Sequence, residues 1–291
     1  MMKTLRADLH MHSVVSDGTD TPEEILAKVS EEGLDLFSLT DHDDFKGCDI
    51  IRKIRKDIDP AFITGVEFSC RDDRGKYHIL GYGFDTKNKD IRSVIDLGHQ
   101  YRLNKVAARL DYLKSKGIIF SEEECSELLA LDNPGKPHIA KLMIKHGYAE
   151  SISDAIRNHI DGVHFKSEYV RPEEAITGIL KAGGIPVLAH PSYGSGDQII
   201  IGEEMDERLQ YLIGMGLQGV EAYYSGFTDK LRDEILGFAE KYDLYVTAGS
   251  DYHGANKLVV LGDTGLENAL EGAAGMQRFL ETIRSKISGN I

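Results

Sequence analysis

Cysteine is scarce in this chain of 291 residues, which has three: Cys48, Cys70 and Cys125. An odd number, widely spaced and without a CxxC pair, disfavours both a disulfide framework and a zinc site built on thiolates. The sequence also lacks a long apolar run, and its N-terminus passes straight into charged residues without an apolar leader core. We therefore expect a cytoplasmic protein with no membrane partner.

Positive charge is also in short supply, since 34 Lys and Arg residues stand against 48 Asp and Glu residues and give a formal net charge of −14. Binding along a nucleic-acid backbone relies on many cationic contacts, so this balance argues against long nucleic acid as a partner. It leaves room for a small phosphorylated substrate, because bound divalent cations reverse the charge locally. The sequence shows no internal repeat and no low-complexity segment.

Short apolar runs alternate with helical segments over most of the sequence. The clearest helix start is Thr21-Pro22-Glu23-Glu24, where an N-cap Thr, a Pro at the first helical position and a Glu two residues later form a capping box. Alternating strands and helices predict an α/β fold with parallel strands, and seven strands favour a TIM-like β/α barrel over a doubly wound open sheet. The predicted strands are residues 5–9, 36–40, 62–68, 77–83, 185–189, 219–223 and 244–248.

The alternation is interrupted once, between residues 99 and 165, where no strand pattern occurs. This segment has nine Lys and Arg residues and nine Asp and Glu residues, so the rest of the chain carries the whole excess of negative charge. We interpret it as a helical insertion, or cap, in a barrel formed by residues 1–98 and 166–291. The helices predicted within it are residues 101–116, 121–131, 139–146 and 151–159.

Six of the eleven histidines lie within the predicted strands or just beyond their carboxyl ends, together with several acidic residues. In a β/α barrel these ends converge on one face, where active sites are built. A single His after a strand is usually an ordinary loop residue, but six strands that deliver such side chains to one rim indicate a metal centre. The segments are Asp8-Leu9-His10-Met11-His12-Ser13, Ser16-Asp17-Gly18, Thr40-Asp41-His42-Asp43, Gly65-Val66-Glu67, His78, Ala189-His190-Pro191 and Ser250-Asp251-Tyr252-His253.

The types of side chain in these segments narrow the choice of metal. His10 and His12 are two residues apart, so in a strand their rings lie on the same face, which suits one ion. Imidazole and carboxylate together, without thiolate, favour Zn, Mn or Fe. The combined pattern is therefore much more specific than any one of its motifs.

In these segments and in their order the chain resembles the PHP (polymerase and histidinol phosphatase) family of metal-dependent phosphoesterases. The matching segments extend over nearly the whole sequence. The resemblance implies a distorted seven-stranded β/α barrel with an all-helical insertion. It also implies a centre of two or three divalent metal ions, which would be Mn, Fe or Zn.

The resemblance further implies which side chains bind each ion. The first ion would be held by His10, His12, Glu67 and Asp251. A second would share Glu67 as a bridge and add His78 and His190, and a third would use Asp17, His42 and His253. Relatives of the histidinol phosphatase type often carry His where this chain has Asp17, which argues against histidinol phosphate as the substrate.

Phosphate ester hydrolysis at such a centre needs no protein nucleophile. The expected nucleophile is a hydroxide that bridges two ions and attacks phosphorus in line. Ser13 and Ser16 are then expected to cap and to hydrogen-bond rather than to react. Asp41 and Asp43 flank His42 and are expected to orient its ring or the neighbouring loops. The acid that protonates the leaving group is not indicated.

The resemblance is to family members that act on nucleotides, in which the insertion leans over the site and supplies basic groups. Matching positions here are Arg102, Lys136 and His138, which we expect to bind the substrate. The expected reaction is hydrolysis of a phosphate monoester of a nucleotide, either a nucleoside 3′,5′-bisphosphate or a mononucleotide. Those relatives often have a basic residue soon after the His-Pro pair, where this chain has Ser192-Tyr193-Gly194, so recognition of a second phosphate stays open.

Several alternatives are compatible with the same residues. The enzyme could act on another small metabolite such as histidinol phosphate, or trim short oligoribonucleotides. A non-catalytic, metal-stabilised module of a larger assembly is disfavoured, because all nine candidate positions hold side chains able to bind metal. Tyr193 and Tyr224 could stack on a base or simply pack. Oligomeric state is not indicated by the sequence.

Overall fold

The computed structural model describes residues 5–131, 133–162, 168–194, 198–266 and 274–289. Within them the chain forms eight strands and ten α-helices. The strands are β1 (Ala7–Asp8), β2 (Leu36–Phe37), β3 (Ala61–Phe62), β4 (Gly65–Asp72), β5 (Gly75–Tyr82), β6 (Ile185–Leu188), β7 (Gly219–Tyr224) and β8 (Tyr245–Gly249). The helices are α1 (Pro22–Glu31), α2 (Lys46–Ile54), α3 (Lys89–Ser115), α4 (Glu122–Leu129), α5 (Lys136–Lys145), α6 (Ile152–Asp154), α7 (Pro172–Lys181), α8 (Gly202–Gly214), α9 (Asp229–Lys241) and α10 (Ala274–Ile283).

The strands belong to two sheets. The first has the order β1-β2-β3, and all its pairs are parallel. The second has the order β4-β5-β6-β7-β8, in which the pairs of β6 with β7 and of β7 with β8 are parallel. The predicted α/β class is therefore confirmed.

The pairing of β5 differs from the expectation of parallel strands. β4 and β5 form an antiparallel hairpin in which Asp72 pairs with Gly75, and β5 is also antiparallel to β6. The turn between β4 and β5 is too short for a crossover helix, which a parallel pair would require. The predicted strand 62–68 is also divided into β3 and the first part of β4.

Backbone hydrogen bonds connect the two sheets on both sides. Leu9 donates to the carbonyl of Ala248 beyond β1, at 2.8 Å, and Asp43 donates to the carbonyl of Glu67 at 2.9 Å. The first bond joins the end of β1 to β8, and the second joins the segment after β2 to β4. The described ranges contain two sheets, one parallel and one mixed, so the closed seven-stranded barrel is not confirmed.

Helices cover the outer faces of the sheets because each has one apolar face. In α1 the predicted capping box is present, with Thr21 accepting from the backbone of Glu24, and the buried face contains Ile25 and Val29. Helix α7 packs on β4, β5 and β6, α9 packs on β7, and α10 packs on β8. None of the helices seen here combines the length and the apolar character that crossing a bilayer demands. The cytoplasmic location stays a prediction.

The segment from α3 to the π-helical turn Ala155–Ile160 has an apolar cluster of its own. Its buried members come from α3, α4, α5, the π-helical turn and the loop after α3: Val106, Leu110, Leu113, Ile118, Leu128, Ile139, Ala140, Met143, Ala155 and Ile160. Helix α3 begins at Lys89, and its first turns pack against α7, where Asp90 and Lys181 form an ion pair of 3.0 Å. The division into a barrel and an insertion of residues 99–165 stays a prediction, and the residues at its carboxyl end lie outside those described.

Candidate metal centre

The structure brings all nine predicted metal ligands together, around the carboxylate of Glu67. This side chain is fully buried on β4. Both of its oxygens face histidine nitrogens from other strands. Glu67 Oε2 lies 3.1 Å from His12 Nε2, 3.1 Å from His42 Nδ1 and 3.3 Å from His10 Nε2, and Glu67 Oε1 lies 2.9 Å from His78 Nδ1 and 3.3 Å from His190 Nε2.

Two further carboxylates complete the cluster. Asp251 Oδ1 lies 3.4 Å from both His12 Nε2 and His253 Nδ1. Asp17 Oδ1 lies 3.3 Å from His253 Nε2. Groups of ligand atoms close enough to share an ion are His12, Asp17, His42 and His253; His10, His12 and Glu67; and His42, Glu67 and His78.

Unpaired polar atoms in this cluster fit metal ions. Buried polar side-chain atoms are normally hydrogen-bonded, because leaving one without a partner is costly. Several buried atoms of the cluster have no hydrogen-bond partner: His10 Nε2, His12 Nε2, Asp17 Oδ1, Glu67 Oε2 and His190 Nδ1. Imidazole nitrogens and carboxylate oxygens are donors that Zn, Mn and Fe accept.

The electrostatics of the cluster point the same way. Burial lowers the pKa of His10, but the carboxylates of Glu221, Glu67 and Asp251 outweigh it and raise that pKa well above its usual value. Burial also lowers the pKa of His12, but the carboxylates of Asp251 and Glu67 beside its Nε2 outweigh it and raise that pKa to about 9. Burial lowers the pKa of His42 to about 3, which keeps that ring neutral. Positive charge is therefore favoured at His10 and His12, where divalent cations would supply it if they displaced protons from these imidazoles.

The backbone at the ends of three strands is held in the left-handed region. The φ angles are 51° at Asp43, 27° at His190 and 59° at Asp251. Residues other than glycine rarely adopt such angles, and they concentrate at functional sites where surrounding contacts enforce them. Each of these residues follows a strand and either faces the cluster or adjoins one of its histidines.

Glu221 is a functional residue that sequence reasoning missed. It is fully buried on β7, and its Oε1 lies 2.9 Å from His10 Nδ1 while its Oε2 accepts from the backbone of His190 at 2.8 Å. The carboxylate thus fixes the orientation of His10 and leaves Nε2 facing the cluster. A charged residue inside an otherwise apolar strand was the available signal.

Other carboxylates hold the loops that carry the ligands. Asp8 accepts from the backbone and hydroxyl of Ser250 at 3.0 and 2.6 Å. Asp41 accepts from the hydroxyls of Ser13 and Ser16 at 2.8 and 2.7 Å. These bonds engage both serines in fixing the loop after β1.

Tyr224 and Lys257 also reach the cluster, from the side of Asp251. Tyr224 is buried, and its hydroxyl donates to Asp251 Oδ2 at 2.9 Å, so it packs and orients rather than offering a face to a base. The ammonium of Lys257 pairs with the same oxygen and lies 3.1 Å from the hydroxyl of Tyr224. Tyr193 packs its ring 5.8 Å from that of Tyr224.

The three predicted substrate-binding residues differ in their position relative to the metal cluster. Arg102 on α3 donates to Asp43 Oδ2 at 2.6 Å, beside His42, and so lies next to the centre. The ring of His138 accepts from the backbone of Gly135 at 3.0 Å. Burial lowers the pKa of His138, and the negative charge of Asp17 acts in the opposite direction. Lys136 is paired with Asp161 at 2.5 Å within the insertion and does not join the cluster.

The sequence matches the profile of the PHP domain over residues 8–170, and the chain belongs to this family. It is 28% identical over 254 residues to the phosphoribosyl 1,2-cyclic phosphate 1,2-diphosphodiesterase of Eggerthella lenta, with 85% of this chain and 94% of the relative covered. It is 27% identical over 253 residues to the 3′,5′-nucleoside bisphosphate phosphatase of Chromobacterium violaceum, with 84% and 86% covered. A 5′-3′ exoribonuclease of Haemophilus influenzae is 26% identical over 253 residues, with 86% and 90% covered.

Solved structures agree with this placement. A protein of Bifidobacterium adolescentis assigned to the metal-dependent phosphoesterases superposes with a TM-score of 0.79 at 27% identity, with 90% of this chain and 92% of that chain covered. An amidohydrolase of Chromobacterium violaceum, with bound sulfate and no metal, has the same TM-score at 23% identity and 97% coverage of both chains, which shows likeness of fold. The chain is thus a metal-dependent phosphoesterase of the PHP family, with candidate metal-binding clusters of His, Asp and Glu.

Proposed function

We propose that this phosphoesterase hydrolyses a phosphate monoester of a nucleotide, either a nucleoside 3′,5′-bisphosphate or a mononucleotide. The observation that supports this most directly is a row of cationic side chains on α3 that begins beside the metal cluster. Such a row suits a substrate that carries negative charge in addition to the ester under attack.

The row consists of Arg102, Lys105 and Arg109, which share one face of α3 because they are three and four residues apart. Lys105 is buried, and its ammonium lies 3.8 Å from the centre of the Tyr169 ring. Burial lowers the pKa of Lys105 to about 7, and Arg102 acts in the same direction. Placing like charges together in a buried position is unfavourable, so an anion that binds among them is stabilised.

The metal ligands we propose are the nine clustered side chains. His10, His12, Glu67 and Asp251 form the first group; Glu67, His78 and His190 form the second; Asp17, His42 and His253 form the third. Two or three ions of Mn, Fe or Zn would bind there. When bound, such ions lower the pKa of water and neutralise charge on phosphoryl oxygens.

Protein side chains in this site orient groups rather than attack phosphorus. Ser13 and Ser16 both donate their hydroxyl hydrogens to Asp41, and Ser16 also lies 3.4 Å from His12 Nδ1, so both hydroxyls hold the loop after β1 and a neighbouring ring in place. Glu221 holds His10, and Arg102 is anchored by Asp43 at the boundary between site and insertion. Water is therefore the nucleophile that we propose.

The substrates of the similar enzymes support a phosphorylated sugar or nucleotide as the substrate class. The three similar enzymes act on a nucleoside bisphosphate, on a phosphoribosyl cyclic phosphate and on RNA. All three substrates combine a sugar with more than one phosphorus-containing or charged group. The excess of negative charge on this chain favours the smaller substrates over an extended strand.

A panel of substrates with the Mn-loaded enzyme tests the proposal. Phosphate release is measured with nucleoside 3′,5′-bisphosphates, mononucleotides, histidinol phosphate, a phosphoribosyl cyclic phosphate and a short oligoribonucleotide. We expect kcat/KM to be highest for a nucleoside bisphosphate or mononucleotide. A preference of tenfold or more for histidinol phosphate or the oligoribonucleotide would overturn the assignment.

A variant of the cationic row sharpens this test. Arg102→Met should raise KM for a nucleoside 3′,5′-bisphosphate roughly 10- to 100-fold, because a charged hydrogen bond to its second phosphate is lost. It should change the hydrolysis of p-nitrophenyl phosphate much less, since that substrate has one phosphate. Arg157→Met, at an exposed position of the same insertion, is the matched control and should behave like the wild type.

A further inference from the structure

Lys257 lies in the loop after β8 and extends its ammonium to the edge of the metal cluster. This ammonium contacts Asp251 Oδ2 and lies 3.1 Å from the hydroxyl of Tyr224. Its side chain is 36% exposed, whereas those of His10, His12 and Glu67 are fully buried. Lys257 therefore lies at the solvent-exposed margin of the cluster.

The two oxygens of Asp251 have separate sets of neighbours. Oδ1 faces the nitrogens of His12 and His253, both at 3.4 Å. Oδ2 accepts from Tyr224 and pairs with Lys257. A cation held through Oδ1 would leave the contacts of Oδ2 in place.

The ammonium of lysine carries three hydrogens. Asp251 and Tyr224 account for two of the directions around Nζ of Lys257, and the partial exposure of the side chain leaves it accessible to solvent. Cations bound to Asp251 would also offset part of its negative charge and weaken its hold on Lys257. The positive charge of Lys257 would then be available to a second anion.

The position of Lys257 is fixed by its loop. The preceding residues form a short 3₁₀ turn, Gly254–Asn256, in which the side chain of Asn256 donates to the carbonyl of Asp17 at 2.6 Å. The backbone of Ala255 donates to the hydroxyl of Thr19 at 2.8 Å. The loop after β8 is thereby tied to the loop after β1, and both carry proposed ligands. A side chain held in this way is pre-organised for binding.

We propose that Lys257 is a catalytic residue that contacts a phosphoryl oxygen of the substrate, and that Tyr224 positions it. Lys257 contributes a fixed positive charge beside Asp251, where it contacts the reacting phosphate. The cationic row of α3 has a different role, because it binds the remainder of the substrate. The assignment rests on the proposed role of Asp251 as a metal ligand. It predicts that recognition of the reacting phosphate depends on Lys257 whichever alcohol that phosphate esterifies.

Binding of inorganic phosphate to the Mn-loaded enzyme tests this directly. Lys257→Met should weaken phosphate binding, measured by titration calorimetry, by roughly 10- to 100-fold, with metal content unchanged. Lys257→Arg should restore most of the affinity, and Tyr224→Phe should lose a smaller part of it. Lys230→Met, at an exposed position on α9, is the matched control and should bind like the wild type.

Kinetics with p-nitrophenyl phosphate separate a contact with substrate from a structural role. We expect Lys257→Met to lower kcat/KM for this ester and for nucleotides by the same factor. Unchanged phosphate affinity in Lys257→Met, or a loss that follows a loss of bound Mn, would overturn the proposal. If the wild-type enzyme does not hydrolyse nucleotides but Lys257→Met still weakens phosphate binding, the proposed substrate is refuted and the proposed role of Lys257 is supported.

Discussion

The two ring nitrogens of His10 have different partners. Nδ1 lies against Glu221, and Nε2 faces Glu67 and Asp251 across the cluster. A carboxylate on Nδ1 fixes the tautomer that leaves Nε2 unprotonated and also makes that nitrogen more basic. We therefore expect the metal affinity of His10 to depend on Glu221, which is not among the proposed ligands.

Replacing Glu221 with Gln should weaken Mn binding about 10- to 100-fold, the range for partners that orient a metal-bound histidine. The amide keeps an oxygen for the backbone of His190 but loses the charge beside His10. Competition with a chromogenic chelator measures the change. Glu240→Gln, at an exposed position on α9, should leave affinity unaltered, and equal affinities in both variants would contradict the role of Glu221.

Loss of a proposed ligand should have a larger effect than loss of its neighbour. His12→Ala and Asp251→Ala should each abolish turnover, because both side chains are proposed ligands of the first ion. His12 Nε2 lies within 3.4 Å of the carboxylates of Glu67 and Asp251. Phosphate release and metal content are measured on the same samples. Turnover retained with a normal metal content would remove these two residues from the ligand set.

How much of the site the sequence predicted depends on where each residue lies along its strand. His10, His42, His190 and Asp251 follow strands, and chain order alone places such residues at one edge. Glu221 lies inside β7, and in the sequence it is only a charged residue within an apolar run, with no motif that marks it as part of the site. Lys257 stands several residues beyond its strand, so only the folded loop brings it to Asp251.

At the level of elements, the structure contains a strand that overlaps every predicted strand range. The direction of strand pairing was predicted less well than the positions of the strands in the sequence. Apolar runs locate strands because burial requires them. The direction of β5 depends instead on the length of one turn, which permits a hairpin and forbids a crossover. The predicted boundary between barrel and insertion, at residue 98, lies within α3. One continuous helix can bury its first part in the main apolar core and its second part in the apolar cluster of the insertion, so the sequence shows no break there.

The cationic face of α3 should make nucleotide binding depend on pH. Lys105, with its pKa lowered to about 7, is charged below that pH and loses its charge above it. KM for a nucleoside bisphosphate should therefore rise as the pH increases from 6 to 9. Lys105→Arg stays charged over this range, so its KM should change less. Identical pH profiles for the two enzymes would contradict the contribution of Lys105.

At the scale of the whole molecule, the metal cluster joins side chains from both sheets. His10 and His42 follow strands of the first sheet, whereas Glu67 and His190 belong to the second. Ions that bind only the folded chain stabilise it by mass action, by about 3 to 4 kcal/mol at 100 to 1,000 times the dissociation constant. Ions held here would therefore stabilise the association of the sheets.

Treatment with a chelator should lower the melting temperature by about 5 to 15 °C, given about 2 to 4 °C per kcal/mol for a chain of this size. Added Mn should restore it. Scanning calorimetry measures both changes, and Asp251→Ala serves as the control because it should respond weakly to chelator. A melting temperature that is insensitive to chelator in the wild type would show that the cluster does not couple metal binding to folding.

The continuity of α3 has a consequence for selectivity. One helix, Lys89–Ser115, packs on α7 at its start and carries Arg102, Lys105 and Arg109 further on. With a rise of 1.5 Å per residue, these three side chains extend over about 10 Å along a rigid rod anchored beside His42. We therefore expect the enzyme to favour molecules whose negative charges are spaced to match this length of helix, which the backbone of α3 sets.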